Sequence, residues 1–210
     1  MEFLHPDSKF SQIMGTVFDY LKLGLLFLIF SIPIVTAGAA ATGVMFVGMK
    51  IIRGEAPKLW PPFWQSFRQN FRQATVTTLI LLAISGLLGF DWYQLFQLGS
   101  DPLVRIARAL VFLAALVILM AALYLFPVLA RFEVTGKQLV RNAVSFSLMN
   151  FTKSLGILAI ILAGLWLMDS FLPALPVVVA VLPGLVIWLM SRLCVKTFSK
   201  VEVPHGEDDL

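Results

Sequence analysis

Asp91, Asp169, Arg105 and Arg108 are the residues best placed to act on a solute, because each lies at the end of a long apolar run. Gathered together, two carboxylates and two guanidinium groups could bind an anionic or hydroxylated solute at one membrane face. Held apart, they anchor helix ends and snorkel towards headgroups. The runs themselves carry no such groups: Leu23–Met49, Thr75–Phe90, Ala109–Ala130, Leu155–Met168 and Leu172–Ser191 contain no Asp, Glu, Lys, Arg or His. Proton- or ion-driven transporters usually place charge inside their spans. The phosphate-cradling pattern GxxxxGKS/T and the nucleophile pattern GxSxG are both missing. His5 and His205 stand at opposite termini, and Cys194 is the one cysteine, so neither a metal cluster nor an intramolecular disulfide is expected. No catalytic residue, metal ligand or cofactor is expected, and the chain reads as a non-enzyme.

The mean hydropathy of +0.90 over 210 residues belongs to a polytopic membrane protein and exceeds that of a soluble domain. The expected fold is all-α, with about six transmembrane helices, or five, plus two cytoplasmic amphipathic surface helices. One membrane domain covers 1–201, and 202–210 is an acidic tail expected to be disordered. The net charge of +4 is modest. Basic residues cluster at the ends of apolar runs, which means topology and anionic lipid headgroups and excludes nucleic acid as a partner.

The first surface helix is read over Trp60–Ala74. Pro61 and Pro62 suit a helix start. At about 100° per residue, Trp60, Phe63, Trp64, Phe67 and Phe71 share one face, with Gln65, Arg68, Gln69 and Arg72 opposite. The aromatic stripe either lies in the acyl boundary or packs on the protein's own helices. A weaker echo comes 80 residues later over Gly136–Phe151: Asn150-Phe151 matches Asn70-Phe71, and Val140, Ala143, Val144 and Phe151 take the places of Trp60, Phe63, Trp64 and Phe71. Arg141 lies within this stretch and, with the two Asn-Phe pairs and the aromatic stripe, is a candidate partner or lipid contact. Each surface helix sits between two apolar runs, the pattern of a parallel internal repeat of span, surface helix and span.

Spans are read at Phe10–Ile32, Ala37–Arg53, Thr75–Phe96, Leu103–Ala130, Leu155–Leu172 and Val177–Leu193, with Ser8 as a helix start. Asp19 and Lys22 interrupt the first, either paired or separately solvated. Pro33, Thr36 and Gly38 mark a helix break, with Thr36 as the expected N-cap of the second span. Ala39 and Gly43 have the four-residue spacing of close helix approach. Two topologies compete. Pro33 can turn a hairpin between two crossings, giving six spans and both termini inside; or 21–47 can be one kinked span, giving five and an outside amino terminus. Kinks are expected at Pro127 and Pro183. The alanines at 37, 39 and 41 resemble a signal-cleavage region, but no basic segment precedes the apolar run, so cleavage is not expected. Segments 48–74, 131–154 and the tail hold the Lys and Arg, whereas 91–102 and 169–176 hold only Asp91, Asp101 and Asp169. By the positive-inside rule the basic segments, with the carboxyl terminus, are cytoplasmic in a bacterial inner or plasma membrane.

Ser31-Ile-Pro-Ile-Val-Thr-Ala-Gly38, then Lys50-Ile-Ile-Arg-Gly-Glu55, then Phe67-Arg-Gln-Asn-Phe-Arg-Gln-Ala-Thr75 resembles the YesL family of small bacterial membrane proteins, whose domain has no known function. Its members commonly occur in Gram-positive bacteria, encoded beside carbohydrate ABC importers and glycan-degrading enzymes. The resemblance implies an accessory or regulatory role in carbohydrate uptake, with importer subunits as partners. It supplies no catalytic residues. The Glu-Ala-Ala loop of standard importer permeases is absent from this chain. A small passive facilitator or channel, with its pathway near Pro33 and Pro127, is the alternative.

Overall fold

The computed structural model describes residues 9–55, 58–99, 101–171, 173 and 175–202. Helix α1 spans Lys9–Phe30, and a 3-10 turn at Ile34–Thr36 leads into α2, Ala37–Ile52. Then come α3 (Trp60–Gln97), α4 (Pro102–Arg131), α5 (Gly136–Met149), α6 (Phe151–Ser170) and α7 (Leu175–Glu202). There is no strand among the described residues. Every helix except α5 is long and apolar enough to cross a membrane, α2 being taken with its preceding turn, which makes six. In hydrocarbon each backbone amide must be satisfied within its own segment, so helices are what this composition dictates. Ser8, His5, His205 and the acidic stretch 203–210 lie outside the described residues, and Glu202 closes α7.

Trp60–Ala74 is not a separate helix. It continues without interruption into the next span as α3, 38 residues in all. At 1.5 Å per residue that is about 57 Å, well beyond a hydrocarbon core of about 30 Å. No proline or glycine stands between Pro62 and Gly86 to break the ladder. The second surface helix is distinct: α5 stops at Met149, and Asn150 (φ −117°, ψ 32°) separates it from α6. Pro127 and Pro183 lie inside α4 and α7, which continue through them.

Contacts at helix ends fix the arrangement. Phe132 at the close of α4 packs on Phe198 of α7 with ring centroids 5.0 Å apart, and Asn150 Nδ2 donates to Thr197 Oγ1 at 3.1 Å. Lys137, Arg141, Lys153 and Lys196 belong to the segments joined here, and Gln73, next to Arg72 on α3, bonds Val134 beside them. This is the basic end of the bundle. At the far end of α3, Arg108 donates to the carbonyls of Leu95 (2.9 Å) and Gly99, tying the close of α3 to the start of α4.

Helix α1 runs opposite to both α2 and α7. The Tyr20 hydroxyl donates to the Gly48 carbonyl at 2.8 Å, and Gly48 lies against Ser191. One turn later on α1, Gly24 meets Pro183 and Gly184, two turns earlier on α7. Because α7 closes at the basic end, α1 opens there. The start of α1 and the close of α7 therefore share one side, and α1 and α2 form a hairpin of two antiparallel helices in place of the single kinked span over 21–47.

The hairpin is short. Phe30, the last residue of α1, packs on Phe63 and Phe67 at 5.1 and 5.4 Å, so the Pro33 turn stands beside the start of α3. A methyl at Gly38 would overlap Thr78 Oγ1 and meet Phe126 at 2.6 Å and the Ala74 carbonyl at 2.8 Å. From Thr78, α3 runs on for about 29 Å before its own turn at Gly99. Helix α2 lies obliquely across the bundle. Gly38 meets Phe126, about 9 Å before Phe132 on α4; Gly48 meets Ile187 and Ser191, about 10 to 17 Å before Phe198 on α7.

Close helix approach carries a paired prediction. Gly38→Ala forces α2 away from α3 and α4 and costs about 1–3 kcal/mol. Gly86→Ala, where an added Cβ meets nothing within 4 Å, leaves stability unchanged. Thermal unfolding of the two purified variants in detergent checks both.

Candidate functional site

Each of the three segments that carry the family resemblance has a structural task. In the first, Thr36 does not cap α2. Its hydroxyl is shared between the carbonyls of Phe30 (2.6 Å) and Pro33 (2.8 Å), satisfying the frayed end of α1 where Pro33 interrupts the ladder. Gly38 closes the segment with its tight approach to α3 and α4.

The second segment is a helix stop. Gly54 takes φ +76°, a left-handed conformation that glycine adopts without Cβ strain. Its amide donates to Ile51 O at 3.0 Å and the Glu55 amide to Lys50 O at 3.1 Å, the paired bonds of a Schellman motif. The Glu55 carboxylate sits 3.5 Å from Lys50 Nζ and 3.8 Å from Arg53. All three side chains are partly exposed, so these ion pairs add little beside the backbone bonds.

In the third, the aromatic face divides. Phe63 and Phe67 are buried, at 0% and 7% exposure, against Phe30 and α2. Trp60, Trp64 and Phe71 keep 52%, 38% and 39% and form an outer edge, Trp64 stacked on Phe67 at 5.5 Å. The stripe therefore packs on the protein's own helices along one edge and stays exposed along the other. Arg68 and Arg72, one turn apart, are both exposed. Asn70 Nδ2 donates to the Ser66 carbonyl at 3.0 Å.

The echo is present in the packing. At 80-residue spacing the buried positions coincide: Phe63 with Ala143, Ser66 with Phe146, Phe67 with Ser147, Ala74 with Ser154. Asn150 donates to the Phe146 carbonyl at 3.2 Å, as Asn70 does four residues back. Arg141 and Phe151 are exposed, like Phe71. Upstream, Met45, Val47 and Met49 of α2 are buried, as are Leu125, Pro127 and Leu129 of α4.

The charged cluster at the far end does not assemble around a solute. Arg108 is committed to the carbonyls of Leu95 and Gly99 and lies 5.7 Å from the Phe96 ring, and no ion pair joins it to Asp91 or Asp169 among the described residues. Asp19 and Lys22 do pair, at 3.2 Å.

Other contacts at the basic end lie beyond the sequence reading. Thr135 and Gln138 form a capping box at the start of α5, the Thr135 amide donating to Gln138 Oε1 at 3.0 Å. The T-x-x-Q spacing is a signal that could have found it. Gln73 Nε2 donates to Val134 O at 2.9 Å, and buried Tyr124 and Ser154 share a 2.8 Å hydrogen bond. These long-range bonds have no local signature.

Six apolar helices around a buried core rich in small residues define a polytopic all-α membrane protein. Residues 20–92, from α1 through α2 and most of α3, match the family model described as a protein of unknown function, DUF624. YesL proteins contain this domain, so the resemblance read from the three segments is borne out. No curated protein and no solved structure matches the chain.

The divided aromatic face predicts divided costs. Phe63→Ala removes a fully buried ring and loses about 3–5 kcal/mol, whereas Phe71→Ala changes stability by about 1 kcal/mol or less. Chemical or thermal unfolding in one detergent distinguishes them.

Proposed function

We propose that the chain is a non-enzymatic accessory or regulatory protein of a bacterial cell membrane, associated with carbohydrate uptake of the ABC type. The observation that carries this is the outer aromatic and basic edge of two repeated helical segments. Trp60, Trp64, Phe71 and Arg72 present it on α3; Arg141 and Phe151 present it on α5 and α6. Each segment is pinned by its inner face, and the outer residues stay half-exposed although Trp60 and Trp64 also touch Phe30 with their inner edges. Such preorganised aromatic and arginine side chains suit a protein partner or anionic headgroups. The importer association comes from the family resemblance. By the positive-inside rule the basic end and the carboxyl terminus are cytoplasmic, and the direction of α1 then puts its start on the same side.

A passive facilitator is the second reading, favoured by a cavity of about 730 Å³ between α2, α3, α4 and α7. Its lining is almost wholly apolar, with Thr78, Ser85 and Trp92 the main polar side chains. A sugar would leave most hydroxyl groups without partners there. The cavity therefore speaks for an apolar occupant and against a carbohydrate path.

Phe67 is unsuitable as a probe of this surface, because its burial makes any truncation a folding mutation. Replacing Trp60, Trp64 and Phe71 together with Ala is expected to release importer subunits that co-purify from native membranes in mild detergent, with membrane insertion intact. Unchanged recovery of those subunits would exclude this surface as their contact. Recovery of the unaltered chain with no importer subunit would exclude the association itself.

A further inference from the structure

A second groove lies between α3, α4 and α5, with a volume of about 670 Å³. Its polarity is graded. Gln69, Arg72 and Gln73 of α3 and Gly136 of α5 ring the mouth at the basic end. From there Val76, Ile80 and Ile84 of α3 face Val117, Ile118 and Ala121 of α4. The track from Arg72 to Ile84 is about 18 Å long at 1.5 Å per residue, close to the roughly 15 Å depth of one hydrocarbon leaflet. One polar end and one apolar track of leaflet length are the dimensions of an amphiphile.

The mouth favours negative charge. Arg72 is exposed, and no carboxylate pairs with it among the described residues; Glu133 in the adjoining connection makes no ion pair with it. Gln73 uses its amide nitrogen on Val134, which directs the side chain across the mouth. Helix α5 begins at Gly136, and its capping box satisfies the third-position amide, while the two amides before it have no partner within the helix. Those amides and the positive end of the α5 dipole reinforce Arg72.

We propose that this groove holds one anionic phospholipid of the basic-end leaflet, its phosphate at Arg72 and the start of α5, one acyl chain along the α3–α4 seam. The site does not depend on importer association, so a partner-free preparation leaves it testable. The lipid would brace the two repeats at the seam where the Gln73–Val134 bond is a polar link between them.

The test is native mass spectrometry of the detergent-purified full chain, titrated separately with palmitoyl-oleoyl-phosphatidylglycerol and palmitoyl-oleoyl-phosphatidylcholine. One phosphatidylglycerol is expected to be retained in preference to phosphatidylcholine. Arg72→Ala is expected to lower its occupancy about fivefold, and Arg68→Ala, on the same helix but outside the groove, to leave it unchanged. Ile80→Trp, which fills the acyl track, is expected to abolish retention while the helical circular dichroism persists. Equal retention of the two lipids overturns the proposal, as does an equal loss in Arg68→Ala and Arg72→Ala. A groove occupied by a second copy of the chain would exclude the lipid and give a dimer, and that result also overturns it. Where Ile80→Trp does not fold, the two arginine variants decide.

Discussion

Hydrocarbon offers helices no hydrophobic incentive to associate, so packing depends on how closely their backbones can approach. In this protein α2 provides that closeness. Gly38 lets it meet α3 and α4, Gly43 lets Phe63 lie against it, and Gly48 brings it to Ser191 and Ile187 of α7. Tyr20 adds a buried 2.8 Å hydrogen bond to the Gly48 carbonyl, which links α1 to the same helix. Most of the buried core therefore gathers around one oblique helix, while the far halves of α3, α4 and α6 stay largely exposed. Small residues on α2 and large rings on its neighbours are two halves of one fit.

The aromatic clamp is a consequence of that placement. With α2 lying across the bundle, the end of α1 and the start of α3 are brought side by side, and Phe30 lands among Trp60, Phe63, Trp64 and Phe67. The segment 80 residues later uses hydrogen bonds at the corresponding positions. Ser154 replaces Ala74 and bonds Tyr124; Asn150 bonds Thr197 and breaks the helix, where Asn70 stays within one. One half is held by rings and the other by polar contacts, and in each an inner face is used for anchoring while an outer face remains available.

Much of the fold was legible because a bilayer imposes strong, simple rules. Helix number, the break at Pro33 and the basic clustering all come from length, proline chemistry and charge. The continuity of α3 was not legible, because a change from amphipathic to apolar sequence resembles a boundary although nothing between Pro62 and Gly86 interrupts the backbone. Thr36 shows a related limit: a hydroxyl before a helix can cap it or turn back, and only the position of the Phe30 carbonyl decides. Hairpin and kinked span could be told apart only once the partners of Tyr20 and Gly24 gave the direction of α1. For the candidate surface, the sequence grouped the aromatic residues correctly but could not say which edge α2 covers. Long-range partners such as Gln73 and Val134 leave no periodic trace.

The placement of the Pro33 turn beside the start of α3 is tested most directly by cysteine cross-linking in native membranes, since Cys194 is buried and the chain has no other thiol. Phe30 and Trp64 have ring centroids 6.0 Å apart, so Phe30→Cys combined with Trp64→Cys should be joined by a short bis-maleimide linker that spans the space the two rings fill, a direct disulfide needing closer backbones. Phe30→Cys combined with Leu98→Cys should not. Cross-linking to position 98 in place of 64 would put the turn at the opposite end of α3 and contradict this arrangement.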